Sequence, residues 1–175
     1  MENLKLETLI SAEQIQKRIL ELGRDITKRF KGEDLTVVCV LRGAYMFYAD
    51  LIRAIDLDVT CDFLGVSSYT HTTSSGEVKM TLDLNTPVEG KNILLVEDIV
   101  DTGLTMNYLT KNIKNRQPKT LSTASLLFKP SALKIPCDID YLGFEIENEY
   151  VVGYGLDFQG YYRNLPFVAK VQNIN

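Results

Sequence analysis

Two adjacent acids, Glu97 and Asp98, stand where an aliphatic run ends, and a third, Asp101, follows just before Thr102-Gly103-Leu104-Thr105. Carboxylates placed this way can hold sugar hydroxyls or a hard metal ion, which prefers oxygen ligands. The turn behind them can offer backbone N–H groups to a phosphate, and the start of a helix adds a favourable partial charge. The whole stretch, NILLVEDIVDTGLT over residues 92–105, is a phosphate-sugar site in outline. Alone, Glu97-Asp98 also admits the reading of a solvated strand end, and Asp101 or Thr102 that of a helix cap, a role that can coexist with chemistry at Asp101. Side chains alternate along a strand, so the two acids would face opposite ways and contribute unequally.

Two other polar groups stop apolar runs. Arg42-Gly43 ends LTVVCVL (35–41), and Lys129-Pro130-Ser131 ends a run closing in Leu126-Leu127-Phe128. A continuous apolar run reads as a central strand covered on both faces. Open α/β sheets bind ligands outside the carboxyl ends of their strands, where these groups could converge.

The elements that must position them alternate. Ile15, Ile19, Leu22, Ile26 and Phe30 step along one face of a helix over 12–30, and Ser11 with Gln14 forms a capping box before it. A helix follows Arg42-Gly43 to about Ile55, with Phe47, Leu51 and Ile55 inward. Val59, Cys61 and Phe63 alternate as a strand, and Val78–Leu82 returns as another. Between them 67–77 (SSYTHTTSSGE) is polar and aperiodic, the pattern of a long flexible loop that could serve as a lid, and it holds the only histidine, His71. Strand 92–97, a helix from about Gly103 to Asn115, strand 121–128 and short strand-like pieces at 141–144, 150–154 and 166–171 complete the chain. This order predicts one α/β domain over 1–175, with a mainly parallel twisted sheet flanked by helices.

Composition narrows the function. A net charge of −4 gives no general drive toward nucleic acid. No apolar run approaches the roughly 20 residues of a membrane helix. The N-terminus lacks a cationic start and an apolar core, so export is not expected. Cys39 and Cys61 sit in apolar runs and read as buried inert thiols; with Cys137 they form neither a zinc pattern nor a disulfide framework. The cytoplasm is the natural compartment. No G-x-G-x-x-G follows the first apolar strand, which argues against a dinucleotide-dependent dehydrogenase.

VEDIVDTGLT resembles the phosphoribosyl-diphosphate motif of the type I phosphoribosyltransferases. Leu41-Arg42-Gly43, Ser68-Tyr69, Lys129-Pro130-Ser131 and GFEIENEYVVGYGLDFQGYYRNLPF (143–167) occur in the order of that family's hypoxanthine-guanine branch, over about residues 10–172. The resemblance implies that fold, with a small hood formed by the terminal segments. It implies transfer of a phosphoribosyl group from 5-phosphoribosyl diphosphate to hypoxanthine or guanine, giving IMP or GMP and diphosphate, with Mg²⁺ as cofactor. Glu97 and Asp98 would hold the ribose hydroxyls and the metal, and Asp101 would be the general base. Thr102, Gly103, Leu104 and Thr105 would bind the 5′-phosphate, Leu104 through its N–H alone. Arg42, Gly43, Ser68, Tyr69 and Arg163 would face the diphosphate, with a cis Leu41-Arg42 peptide. Lys129 would read the 6-oxo oxygen, Tyr150 and Val151 would wall the purine, and Asp157 would hold a second metal through its side chain. A homodimer or homotetramer is expected on the same ground. Competing readings are a xanthine-preferring relative, or a pyrimidine-responsive RNA-binding regulator on this fold using Lys111, Lys114, Arg116 and Lys119. The last is at odds with the acidic net charge.

Overall fold

The computed structural model describes residues 4–69 and 77–172. In chain order the elements are β1 (Leu6–Ile10), α1 (Ala12–Arg29), β2 (Leu35–Leu41), α2 (Tyr45–Ala54), β3 (Val59–Tyr69), β4 (Glu77–Leu82), β5 (Asn92–Val100), α3 (Leu104–Lys114), β6 (Thr120–Phe128), a 3₁₀ turn at Pro130–Ala132, β7 (Tyr141–Glu145), β8 (Val151–Val152) and β9 (Val168–Val171). A six-stranded sheet runs β4-β3-β2-β5-β6-β7, parallel throughout except for the β3–β4 arm. A second sheet of three strands, β1-β9-β8, is antiparallel and forms the hood. The α/β class and flanking helices are as the alternating pattern predicts.

Strand alternation sorts the core into two layers. Val37 and Cys39 of β2, with Leu94 and Val96 of β5, pack toward α1 and α2. Val38, Val40, Ile93 and Leu95 face α3 through Met106, Leu109 and Ile113. Helix α1 starts at the expected box: the Gln14 N–H donates to Ser11 Oγ at 3.3 Å, and the Ser11 N–H donates to Gln14 Oε1 at 2.8 Å. Its face Ile15, Ile19, Leu22 and Ile26 is buried.

Two expectations are corrected. Cys39 is buried, but Cys61 is exposed, because β3 lies second from the sheet edge, where the helices leave that face partly open. Polar residues 67–69 belong to β3, pairing with β4 at Ser67↔Lys79, Ser68↔Val78 and Tyr69↔Glu77. Paired backbone on an exposed arm needs no hydrophobic period, so the loop is narrower than expected. Its remaining residues, 70–76, with His71 and any lid they form, lie outside the described residues. Strand β1, which no local pattern marks, is irregular in burial and exists through its pairing with β9. The sequence pattern also hid Asp62 of β3, buried and accepting from the Asn85 and Thr86 N–H groups and the Thr86 hydroxyl. Burial raises its pKa, but these bonds outweigh it and leave the carboxyl below its usual value.

Candidate active site

The order β3-β2-β5-β6 reverses direction between β2 and β5, and a crevice opens outside the carboxyl ends at such a switch point. Leu41, the last residue of β2, and Glu97-Asp98 lie side by side there, since β2 and β5 run parallel in register from Leu35↔Asn92 to Cys39↔Val96; β5 itself runs past the expected end at 97 to Val100, paired with β6. The Leu41-Arg42 peptide is cis. Continuing the alternation, Glu97 follows Ile93 and Leu95 to the α3 side, and Asp98 follows Leu94 and Val96 to the α2 side. There Asp98 lies against the backbone of Gly43; a β-carbon on Gly43 would stand 1.5 Å from Asp98 Oδ2. Any side chain at 43 would displace the carboxylate.

The two acids differ as expected from opposite orientations. Glu97 is buried, and its Oε2 has no hydrogen-bond partner. Burial, then the neighbouring Asp98 charge, pushes its pKa well above the usual carboxylate range. Asp98 is half-buried, and its Oδ1 accepts from the Ile99 N–H at 2.8 Å. Burial raises it to about 6, against the opposing effect of backbone N–H groups and Arg163. An orphaned buried oxygen beside a second carboxylate is a donor set suited to a hard cation or to hydroxyls. Among the described residues no three His, Cys, Asp or Glu side chains form a metal cluster, so a cation here would complete its shell with substrate oxygens and water.

Asp101 to Thr105 turn into α3 around Gly103, whose φ of +80° lies in the left-handed region that suits glycine. Neither Asp101 nor Thr102 caps the helix as a simple cap would: the N-cap is Gly103, with no side-chain cap. The Leu104 N–H donates to Thr102 Oγ1 at 3.4 Å. A cavity of about 200 Å³ opens here, lined by Glu97 to Gly103, Thr105 and Met106. Phosphate-sized space, helix N–H groups and two threonine hydroxyls therefore adjoin the acid pair. A larger cavity of about 520 Å³, between β1 and residues 144–149, contains none of these acids.

Lys129 is buried at the end of β6, and its Nζ stands 3.6 Å from Asp101 Oδ2. Tyr150 is 49% exposed on the hood, its ring edge-on to Phe158 at 5.8 Å and its hydroxyl 3.3 Å from the Asp157 carbonyl. Val151 is buried beside it. Asp157 and Arg163 are paired with each other, at 2.6 Å. Asp157 Oδ2 also accepts from the Gly160 N–H, and Arg163 donates to the Gly155 carbonyl. The backbone of Ser68 and Tyr69 ends β3.

Sequence reasoning missed the supports behind these groups. The N–H groups of Lys134 and Ile135 both donate to the Thr102 carbonyl, at 3.0 and 3.1 Å, and the Lys129 N–H donates to the Val100 carbonyl at 2.9 Å. The Tyr154 hydroxyl donates to Asp50 of α2, which also pairs with Arg53. Hood and sheet touch where a β-carbon on Gly155 would lie 2.0 Å from the Gly43 carbonyl oxygen. None of these carries a periodic or motif signal.

Residues 7–159 match the phosphoribosyl transferase domain family. The chain is 47% identical over 167 residues to the hypoxanthine-guanine phosphoribosyltransferase of Bacillus subtilis, covering 95% of this chain and 93% of that protein. It is 46% identical over 170 residues to the bifunctional protein TilS/HprT of Listeria innocua, but spans only 26% of that longer protein. The crystal structure of a hypoxanthine-guanine phosphoribosyltransferase from Bacillus anthracis superposes with a TM-score of 0.92 at 44% identity, covering 97% of this chain and 100% of that one. Agreement of this extent, along a chain whose switch point already carries the acids and the phosphate turn, means that the protein belongs to the hypoxanthine-guanine phosphoribosyltransferase family.

Proposed function

We propose that the chain transfers the 5-phosphoribosyl group of 5-phosphoribosyl diphosphate to N9 of hypoxanthine or guanine. The bond from the anomeric carbon to the diphosphate oxygen breaks, the bond to N9 forms, and IMP or GMP leaves with diphosphate. The observation that carries this reading is the meeting of Glu97-Asp98, Arg42-Gly43, the Asp101–Thr105 turn and Lys129 at one switch point.

Each group has a task suited to its surroundings. Glu97 and Asp98 accept the ribose 2′- and 3′-hydroxyls. Thr102, Thr105 and the N–H groups of Gly103 and Leu104 hold the 5′-phosphate. Asp101 takes the proton that the purine loses as N9 is glycosylated, a transfer that contributes roughly 10²–10⁴-fold. Lys129 donates to the 6-oxo oxygen, and adenine would leave that buried donor facing an amino group. Tyr150 and Val151 wall the base. Arg42, Gly43, Ser68, Tyr69 and Arg163 face the diphosphate, for which Arg163 must release Asp157.

Members of the family use a metal ion. We infer Mg²⁺, which suits the oxygen donors of Glu97 and Asp98, with Asp157 at a second position. When bound, it neutralises charge on the leaving diphosphate. We also infer one domain, because Val151 and Val168 of the hood share a hydrophobic cluster with β2 and β5. A homodimer or homotetramer is proposed, to be tested by light scattering. The cytoplasm fits the free cysteines, and no helix among the described residues is long and apolar enough to cross a membrane. The RNA-regulator reading loses two of its four cations, since Arg116 pairs with Asp83 at 2.8 Å and Lys119 with Glu33 at 2.9 Å.

The test is a panel of hypoxanthine, guanine, xanthine, adenine and uracil with 5-phosphoribosyl diphosphate, with and without Mg²⁺. Turnover of the first two, dependent on the metal, is expected. Preference for xanthine would shift the substrate, and inactivity on all five would overturn the reading.

A further inference from the structure

Asp101 is fixed from outside its own turn. The residues on either side of it, Val100 and Thr102, offer carbonyls that accept N–H groups from one segment, residues 129–135. Lys129 binds the Val100 carbonyl at one end. At the other, Lys134 and Ile135 converge on the single Thr102 carbonyl. The span between is stiffened by the Pro130–Ala132 turn, with the Ala132 N–H on the Lys129 carbonyl at 3.2 Å. Leu133 and Ile135 also stand directly behind Gly103. A β-carbon there would lie 2.2 Å from the Ile135 carbonyl oxygen and 2.9 Å from Leu133 Cδ1. The turn that would carry the 5′-phosphate is therefore backed by a second piece of backbone, while α3 has no side-chain cap of its own.

We propose that Leu133, Lys134 and Ile135 form a positioning brace that sets the phosphate turn, and with it Asp101, at the height the sugar phosphate requires. None of the three touches substrate. Their part is to hold the Thr102 carbonyl and back Gly103, so that the N–H groups of the turn aim into the cavity. The inference rests on the reading of 102–105 as the 5′-phosphate turn.

Two variants test it, each against wild-type enzyme assayed in parallel. Lys134→Pro deletes one N–H to Thr102; Leu133 already has the extended conformation that precedes proline, and the Lys134 side chain is exposed. Losing one such bond should raise KM for 5-phosphoribosyl diphosphate by about tenfold, with KM for the purine nearly unchanged. Leu133→Ala removes the packing behind Gly103 together with part of the contact with the α3-side core, and should raise the same KM by about fivefold, with Leu133→Met restoring it. If Lys134→Pro does not fold, Leu133→Ala and its rescue decide alone. Equal rises in both KM values with a lowered melting temperature would mean general loosening, and an unchanged KM for the phosphoribosyl donor would mean no brace; either overturns the proposal. A wild-type enzyme inactive on the purine panel would instead overturn the functional reading.

Discussion

The carboxyl end of the large sheet and the hood face the same crevice but are built differently. At the sheet end, Glu97 on β5 and Lys129 just past β6 are buried side chains, and each of these strands is paired on both sides. In the hood the strands are two to five residues long, Tyr150 is half in solvent, and polar ties such as Tyr154–Asp50 fasten it to α2. Groups on the sheet end are placed before any ligand arrives. In the proposed function the hood contributes a ring and backbone carbonyls to the wall around the base. Taken with the proposed function, the difference puts bond-making at the sheet end and grip on the base in the hood.

Substitutions can break or sharpen that division. Asp101→Asn, at the sheet end, should lower kcat by roughly 10²–10⁴-fold while leaving affinity for 5-phosphoribosyl diphosphate intact, read by single-turnover kinetics and calorimetry. Unchanged turnover would remove the base from the sheet end. Lys129→Ala tests the boundary, since this residue follows the last residue of β6 but is proposed to read the base. It should weaken 6-oxopurine binding by about 1–3 kcal/mol and narrow the preference over adenine, seen in competition assays. Tyr150→Ala, on the hood, should weaken purine binding by about 1–3 kcal/mol with little change in kcat. A large fall in kcat would mean that the hood joins the chemistry.

The smallest effect is on stability. Asp98 has its carboxyl raised from 3.8 to about 6, so the folded protein holds a proton that the unfolded chain releases. That favours folding at low pH, and the benefit is lost as pH rises from about 4 through 6. Glu97 is raised too and extends the same trend upward. Without metal, the melting temperature of wild type minus that of Asp98→Asn should fall over this window. Taking the difference cancels acids such as Asp83, whose bond to Arg116 holds it low and which acts in the opposite sense. A flat difference would mean that Asp98 is better solvated than its position implies.

Much of the sheet end was legible because strong local signals coincide there. Residues 92–105 carry an aliphatic run, acids and a glycine turn in order, and the heptad-like face of α1 leaves little choice of element. The hood was far less so. Val151-Val152 is too short to show a period, and β1 becomes a strand only through β9, which lies at the other end of the chain. Tyr150 shows the limit clearly: it stands half exposed, and no local pattern announces that. Cys61 was misplaced for a related reason, since alternation reveals that a strand has two faces but not which is covered. The brace behind Thr102 uses backbone N–H groups that every residue but proline possesses, so no choice of side chain announces it.

The meeting of Gly43 and Gly155 carries one more consequence. Main chain rests on main chain there, with no flexible side chain between to absorb a displacement. Remodelling the enzyme for a bulkier base should therefore begin at the solvent-facing rim around Tyr150 and leave the inner edge alone, because widening the inner edge would drag Asp98 out of line as well.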